Sequence, residues 1–197
     1  MSGLTWEGVS GGAGLRVTVP VTMGPDEAAR ELAPRLSALA GERAPASSGE
    51  AGARPGVPVV TIDGYSGSGK STLAAALARL VNGWQVLHLD DWYPGWDGLA
   101  EGAHIARRIA SDLRGGRASS YEAWDWENGR TGATISVPLA PTIIEGCGAI
   151  DAEADLSVWI ADPGEDERRS RALARDGQTY APHWQRWADQ DLGRSLP

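Results

Sequence analysis

The sequence has no phenylalanine and a single cysteine, Cys147, among 197 residues. One cysteine excludes an intramolecular disulfide. With no signal peptide visible, the chain is expected to be cytoplasmic. No apolar run approaches the ~20 residues that a membrane span needs, so no membrane association is expected. Basic residues are scarce: Lys and Arg number 18 against 26 Asp and Glu, a net charge of −8. Outside one short Arg-rich stretch near the C-terminus there is no basic cluster, which argues against a nucleic-acid partner. An acidic balance does not oppose a nucleotide ligand, because Mg²⁺ and a few local donors can neutralise phosphates. The missing Phe stands beside nine Trp and four Tyr, an imbalance for which the sequence offers no physical reason. Hydrophobic residues at 42% and charged residues at 22% are ordinary for a globular chain. The length suffices for one domain with a substantial core, with or without an appendage.

Residues 1–14 are rich in Gly and Ser, lack periodicity, and are expected to pack loosely. Residues 15–21 (LRVTVPV) alternate enough for a short strand, with Pro20 placing it near an edge or end. Pro25 and Asp26 open a helix in which Ala28, Leu32, Leu36 and Leu39 form one apolar stripe. Pro34 inside it is expected to kink it. Residues 41–56 have the composition of a linker. Residues 57–63 (VPVVTID) are a nearly continuous apolar run, as in a parallel strand buried on both faces. A glycine-rich loop and a helix ended by Asn82-Gly83 follow. Further strands are expected at 85–90, 134–137, 141–146 and 156–162, and helices at 99–113, 165–175 and 185–192. Strands alternating with helices predict an α/β fold, a three-layer sandwich with a parallel sheet. The expected division is an N-terminal helical extension over 1–56 and a main domain over 57–197.

The loop carries the chemistry. Gly64, Gly69, Lys70 and Ser71 satisfy G-x-x-x-x-G-K-[ST], between a buried strand and a helix. Glycines permit positive φ and close backbone approach. Successive N–H groups around Ser66, Gly67 and Ser68 form a nest for an anion, and the helix starting near Thr72 adds its dipole. Lys70 is expected to reach the β- and γ-phosphates of ATP and the Ser71 hydroxyl to bind Mg²⁺. The main domain is therefore expected to be a P-loop NTPase fold.

Ligands of open α/β sheets bind at the carboxyl ends of strands. Asp90, Asp91 and Glu145 fall just past such ends, on the same rim as the loop. Mg²⁺ favours one or two carboxylates with phosphate oxygens and waters. Turn capping is the simpler role for the two aspartates, and a solvated turn position the simpler one for Glu145. Arg168, Arg171 and Arg175 share a helix face by i, i+3, i+7 spacing, against the plain alternative of a solvated charged helix. Residues 121–130 (YEAWDWENGR) mix aromatics with acids, and aromatic stacking suits a base or sugar ring as well as it suits packing. His88 reads as a packed core histidine and Cys147 as a small buried thiol.

From about residue 57 to 190 the chain resembles the uridine kinase branch of P-loop small-molecule kinases. The resemblance rests on IDGYSGSGKST (62–72), LDDWY (89–93), IIEG (143–146) and DERRSRALARD (166–176). It implies ATP-dependent phosphoryl transfer to a hydroxyl of a small molecule, a nucleoside foremost. Asp90 would accept the hydroxyl proton or lie beside the metal, and Glu145 would hold the Mg²⁺ shell. Arg168, Arg171 and Arg175 would belong to a lid near 164–182. Asp91, Tyr93, Tyr121, Trp124 and Asp125 would contact the acceptor. Members of that branch continue past the lid into another strand, whose loop packs on the adenine. Here no apolar strand follows Ile160, and LRVTVPV is the candidate to fill that sheet edge. Two other functions stay open: a regulatory nucleotide-binding protein, and a nucleoside monophosphate kinase using Arg107, Arg108, Arg114, Arg117 or Arg130. The oligomeric state is open, a homodimer included.

Overall fold

The computed structural model describes residues 3–8, 14–42 and 55–194. Residues 9–13 of the N-terminal stretch and 43–54 of the expected linker lie outside them. The strands are β1 (Thr5–Gly8), β2 (Leu15–Val19), β3 (Val59–Asp63), β4 (Gln85–His88), β5 (Ser119–Asp125), β6 (Arg130–Val137), β7 (Thr142–Glu145) and β8 (Leu156–Ile160). The helices are α1 (Pro25–Glu42), α2 (Lys70–Ala78), α3 (Leu99–Arg114), α4 (Glu165–Tyr180) and α5 (Trp184–Leu192). Six strands form one sheet in the order β1-β2-β8-β3-β7-β4. All pair in parallel except β1 with β2. The fold is thus α/β, a mostly parallel sheet between helical layers.

Side chains alternate across the pleat and so divide the core in two. Val60, Ile62, Ile143 and Val158 point to the face covered by α1 and α2, where Leu32, Leu36, Leu73 and Leu77 are fully buried or nearly so. Val59 and Ile144 point to the other face, toward Ile109 and Leu113 of α3 and Trp184 and Trp187 of α5. Because β3, β7, β4 and β8 run parallel, their carboxyl ends share one rim, and the loop after β3 opens there.

The N-terminal segment contributes two of the six strands. β2 pairs in parallel with β8, Val17 against Val158, and its carboxyl end joins the same rim. It is not at the sheet's edge, since β1 pairs beyond it, Trp6 against Val17. Residues 1–14, expected to pack loosely, nonetheless contribute β1. Its four residues are all exposed, so burial imprinted no apolar alternation on them. Pro20 falls just past β2, where its missing N–H removes no ladder bond. α1 runs unbroken through Pro34 and on to Glu42, inside the expected linker. Arg30 and Pro34 are exposed, so the carbonyl that Pro34 leaves unpaired meets solvent.

The strand expected at 134–137 is the end of a hairpin. β5 and β6 pair antiparallel across a turn holding Asn128 and Gly129, the latter at φ 60°. Seven of the eight β6 residues are exposed, which erased the alternating pattern that would have announced the strand.

Candidate active site

β3 delivers the chain to the loop at Asp63, and α2 starts at Lys70. Two glycines shape the turn. Gly67 has φ 79°, and a Cβ there would lie 2.2 Å from the Arg168 carbonyl oxygen. Gly69 caps α2 at φ 109°, and no side chain caps the helix. The first N–H groups of α2 are therefore left for an anion, with the helix dipole behind them.

Lys70 is the only lysine of the chain. Its ammonium is buried and donates to the carbonyls of Gly64 (2.8 Å) and Tyr65 (3.0 Å) and to Cys147 Sγ (3.3 Å). Desolvation works against its charge. The field of Cys147, Asp191, Asp63 and Glu145 outweighs that, and its pKa is raised.

The carboxylates follow from strand register. β4 and β7 pair His88 with Glu145, and a 3-10 turn after β4 carries Asp90 and Asp91. His88 Nδ1 and Glu145 Oε1 are 2.6 Å apart. This corrects the reading of His88 as a packed core residue: its side chain is 45% exposed, and Glu145 holds it at the strand end. The hydrogen bond with Glu145 raises the His88 pKa against desolvation. Asp90 has surface open to the cavity. Surrounding protein nonetheless desolvates its carboxyl and, with the nearby Glu145 charge, raises its pKa.

A cavity of about 1120 Å³ joins these parts. Its lining includes Ser66, Gly67, Gly69, Lys70, Ser71, Thr72, Asp90, Asp91, Tyr93, Glu145, Arg171 and Arg175. Other expected residues lie off it. Gly64 is beneath the loop, its carbonyl taken by Lys70. Ser68 lines a second cavity of about 500 Å³, with its buried hydroxyl unpartnered. Arg168, expected in the lid, is buried behind the loop: Nε donates to Asp162 (2.8 Å) and a terminal nitrogen to the Ser66 carbonyl (3.2 Å). Helix geometry turned its face inward where spacing alone grouped it with Arg171 and Arg175. Tyr121 packs on Trp92, Trp124 lies against Gly95, and Asp125 caps the hairpin turn through Asn128. None of the three lines the cavity, but the Tyr121 hydroxyl donates to Asp91 on its wall (3.5 Å).

One wall of the cavity is aromatic and reaches the loop itself, where the Tyr180 and Ser66 hydroxyls are 2.9 Å apart; the sequence had singled out only the segment that holds Trp126. Trp96, Trp126, Tyr180, His183 and Trp187 line the cavity. Trp96 stacks on His183 (4.3 Å between centroids, 12° between planes) and on Tyr180 (5.4 Å, 12°). Trp126 Nε1 donates to the Asp90 carbonyl (2.8 Å), which ties the wall to the acid. The wall comes from the turn after β4, the hairpin, and the chain after α4. No local pattern could join segments so far apart; the only signals were the surplus of Trp and the aromatic segment 121–130. α4 itself is interrupted at Gly177, whose backbone is non-helical (φ 57°, ψ −136°).

A buried strand, a glycine loop, a capless helix and carboxylates on one parallel rim decide the fold type. The fold is an α/β sandwich with a P-loop between a buried parallel strand and a helix. No family model matches this chain, and no curated protein matches it. Among solved structures it is similar to a possible uridine kinase from Bacillus stearothermophilus, at 20% identity and a TM-score of 0.45, covering 82% of this chain and 92% of that one. It is likewise similar to a putative fructose transport system kinase from Silicibacter sp. TM1040, at 22% identity and a TM-score of 0.46, covering 80% and 86%. Likeness at this level concerns the course of the chain and not the chemistry of the site. Among the described residues no helix of this P-loop fold is long and apolar enough to cross a membrane.

Proposed function

We propose that the protein transfers the γ-phosphoryl group of ATP to a hydroxyl of a small, uncharged, ring-bearing acceptor, with a nucleoside as the leading candidate. One observation carries this reading: a single cavity joins the phosphate loop, Lys70, the strand-end acids Asp90, Asp91 and Glu145, and an aromatic wall. In the transfer, the acceptor oxygen bonds to the γ-phosphorus as the bond from that phosphorus to the β–γ bridging oxygen breaks. The hydroxyl proton passes to Asp90, and ADP leaves. Asp90 suits this role because its raised pKa makes it a better base than an ordinary carboxylate. Lys70 and the loop N–H groups meet the charge on the phosphates, and Arg171 and Arg175 approach from α4.

The residues fit Mg²⁺. Among the described residues no three His, Cys, Asp or Glu side chains gather closely enough to hold a metal alone. Two carboxylates and a serine hydroxyl on one wall are the partial set that Mg²⁺ completes with phosphate oxygens and water. Ser71 and Glu145 would hold it, directly or through water, with Asp90 beside it left free to take the proton, and bound there it would neutralise charge on the transferring group.

The base of ATP would occupy the second cavity. Its walls are the start of α2 (Thr72, Leu73), the end of β8 (Ile160, Ala161) and residues 19–25 after β2. Segment 1–56 would thus act as part of the nucleotide site.

The acceptor should carry no phosphate. Arg107 lies near Asp151, Arg108 and Arg117 near Asp112, Arg114 between Glu153 and Asp155, and Arg130 near Asp125. None of them lines the cavity, so the monophosphate kinase reading lacks its anion site. Aromatic faces suit rings, whether bases or sugars.

The test is ADP release with Mg-ATP across nucleosides, nucleoside monophosphates and sugars, with Lys70→Ala and Asp90→Asn as controls. Turnover with one unphosphorylated acceptor, abolished by both substitutions, is expected. ATP binding with no acceptor-stimulated turnover would sink the kinase reading in favour of a regulatory nucleotide-binding protein.

A further inference from the structure

Residues 191–194 return to the phosphate loop. The Asp63 carboxylate, at the last residue of β3, is fully buried. It accepts the N–H groups of Gly64 (2.6 Å), Gly148 (3.0 Å) and Ile150 (3.0 Å), and both terminal nitrogens of Arg194 (2.8 and 3.2 Å). Asp191, in the last turn of α5, is 1% exposed. It accepts the Ser66 N–H (2.8 Å), Arg194 Nε (3.0 Å) and a terminal nitrogen of Arg194 (2.7 Å). Cys147 donates its thiol proton to Asp191 (3.4 Å), and its sulfur accepts from Lys70. The Arg194 fork therefore clamps two buried carboxylates. One belongs to the residue before the loop; the other holds a backbone N–H within it.

The network balances two buried anions, Asp63 and Asp191, against two cations, Arg194 and Lys70. Removing one partner from such a set leaves an uncompensated buried charge. Without Arg194, Lys70, whose charge already interacts with both acids, would be drawn further to them and held back from the phosphates. The Ser66 N–H would also lose the fixed acceptor that sets the curve of the loop.

We propose that Arg194 is a positioning residue for phosphate binding: through Asp63 and Asp191 it fixes the loop backbone and keeps Lys70 available to the nucleotide. This rests on the nucleotide reading of the loop, but not on the identity of the acceptor.

The experiment is ADP binding to the full chain, followed by tryptophan fluorescence, with thermal unfolding recorded in parallel. If the unsubstituted protein binds no nucleotide, the functional reading falls first. If it binds, Arg194→Ala is expected to weaken ADP by about tenfold or more, and added guanidinium to restore most of the loss. Restored affinity is a readout that a merely structural role would not move. The double variant Asp191→Asn/Arg194→Ala, which removes one charge of each sign, is expected to bind better than Arg194→Ala alone. A folded Arg194→Ala with unchanged affinity overturns the proposal, as does a weakened one that neither guanidinium nor the second substitution improves. Should Arg194→Ala not fold, Arg194→Lys carries the test, since a point charge cannot grip both carboxylates. Folded with weakened affinity it supports the fork, and with unchanged affinity it overturns it.

Discussion

The two ends of the chain both close on the phosphate loop, by opposite physics. From the N-terminal side, β2 and α1 cover β8 and α2 with Val17, Val19, Leu32, Leu36 and Leu39, all buried and all apolar. From the C-terminal side, α5 brings Asp191 and Arg194 into a buried ionic network with Asp63. Apolar burial stabilises in proportion to area and tolerates small shifts. A buried ion pair contributes little net stability but demands one geometry. The first end should therefore act on stability alone, and the second on how well the loop works as well as on stability.

That contrast can be broken in several places. The largest effect should fall on neither end but on the site they serve. Asp90→Asn is expected to lower turnover by about 100-fold or more, with ADP binding kept. Asp90 must be ionised to accept a proton, so unsubstituted turnover should fall as pH drops through its raised pKa. A pH–rate profile with no acid limb there would remove Asp90 from that role.

On the apolar end, Leu36→Ala should cost about 2–5 kcal/mol. In a chain of this size that lowers Tm by roughly 2–4 °C per kcal/mol. ADP affinity of the folded fraction should not change. A loss of affinity at temperatures well below unfolding would show that the apolar end also sets the loop, and the contrast would fail. Ala161→Trp sharpens the same point from inside the second cavity. It is expected to raise KM for ATP by about tenfold while kcat and the acceptor KM hold. Unchanged KM would mean the base lies elsewhere.

The smallest effect concerns His88. Its pKa is higher folded than unfolded because Glu145 accepts its hydrogen bond. Its contribution is therefore fully present below the unfolded value of about 6.5 and is lost as pH rises through the folded value. The side chain is half exposed, so solvent screening keeps this under ~1 kcal/mol. His88→Gln should flatten that part of the stability-against-pH curve; urea titrations at pH 6 and pH 9 would show it.

Much of this was legible beforehand. The loop from Gly64 to Ser71 was, because its chemistry needs contiguous residues. So were β3, β7 and β8, because strands buried on both faces read as apolar runs. Asp90, Asp91 and Glu145 could be placed on the loop's rim because parallel strands put their ends together. The hairpin and β1 were hidden, because their exposed faces leave no apolar period. Arg168 was misplaced because spacing groups residues on a face without saying which way that face turns.

The sequence alone thus determined the elements whose signal is local: a phosphate loop between a buried strand and a helix, and acids just past strand ends. Only the tertiary structure decided what lines the rest of the cavity. It set five aromatic residues from separate segments into one wall, placed an N-terminal strand beside β8, and locked Asp63 to Arg194 across 131 positions of sequence. Those contacts join residues with no shared period, and their energies exist only once the chain between them has folded.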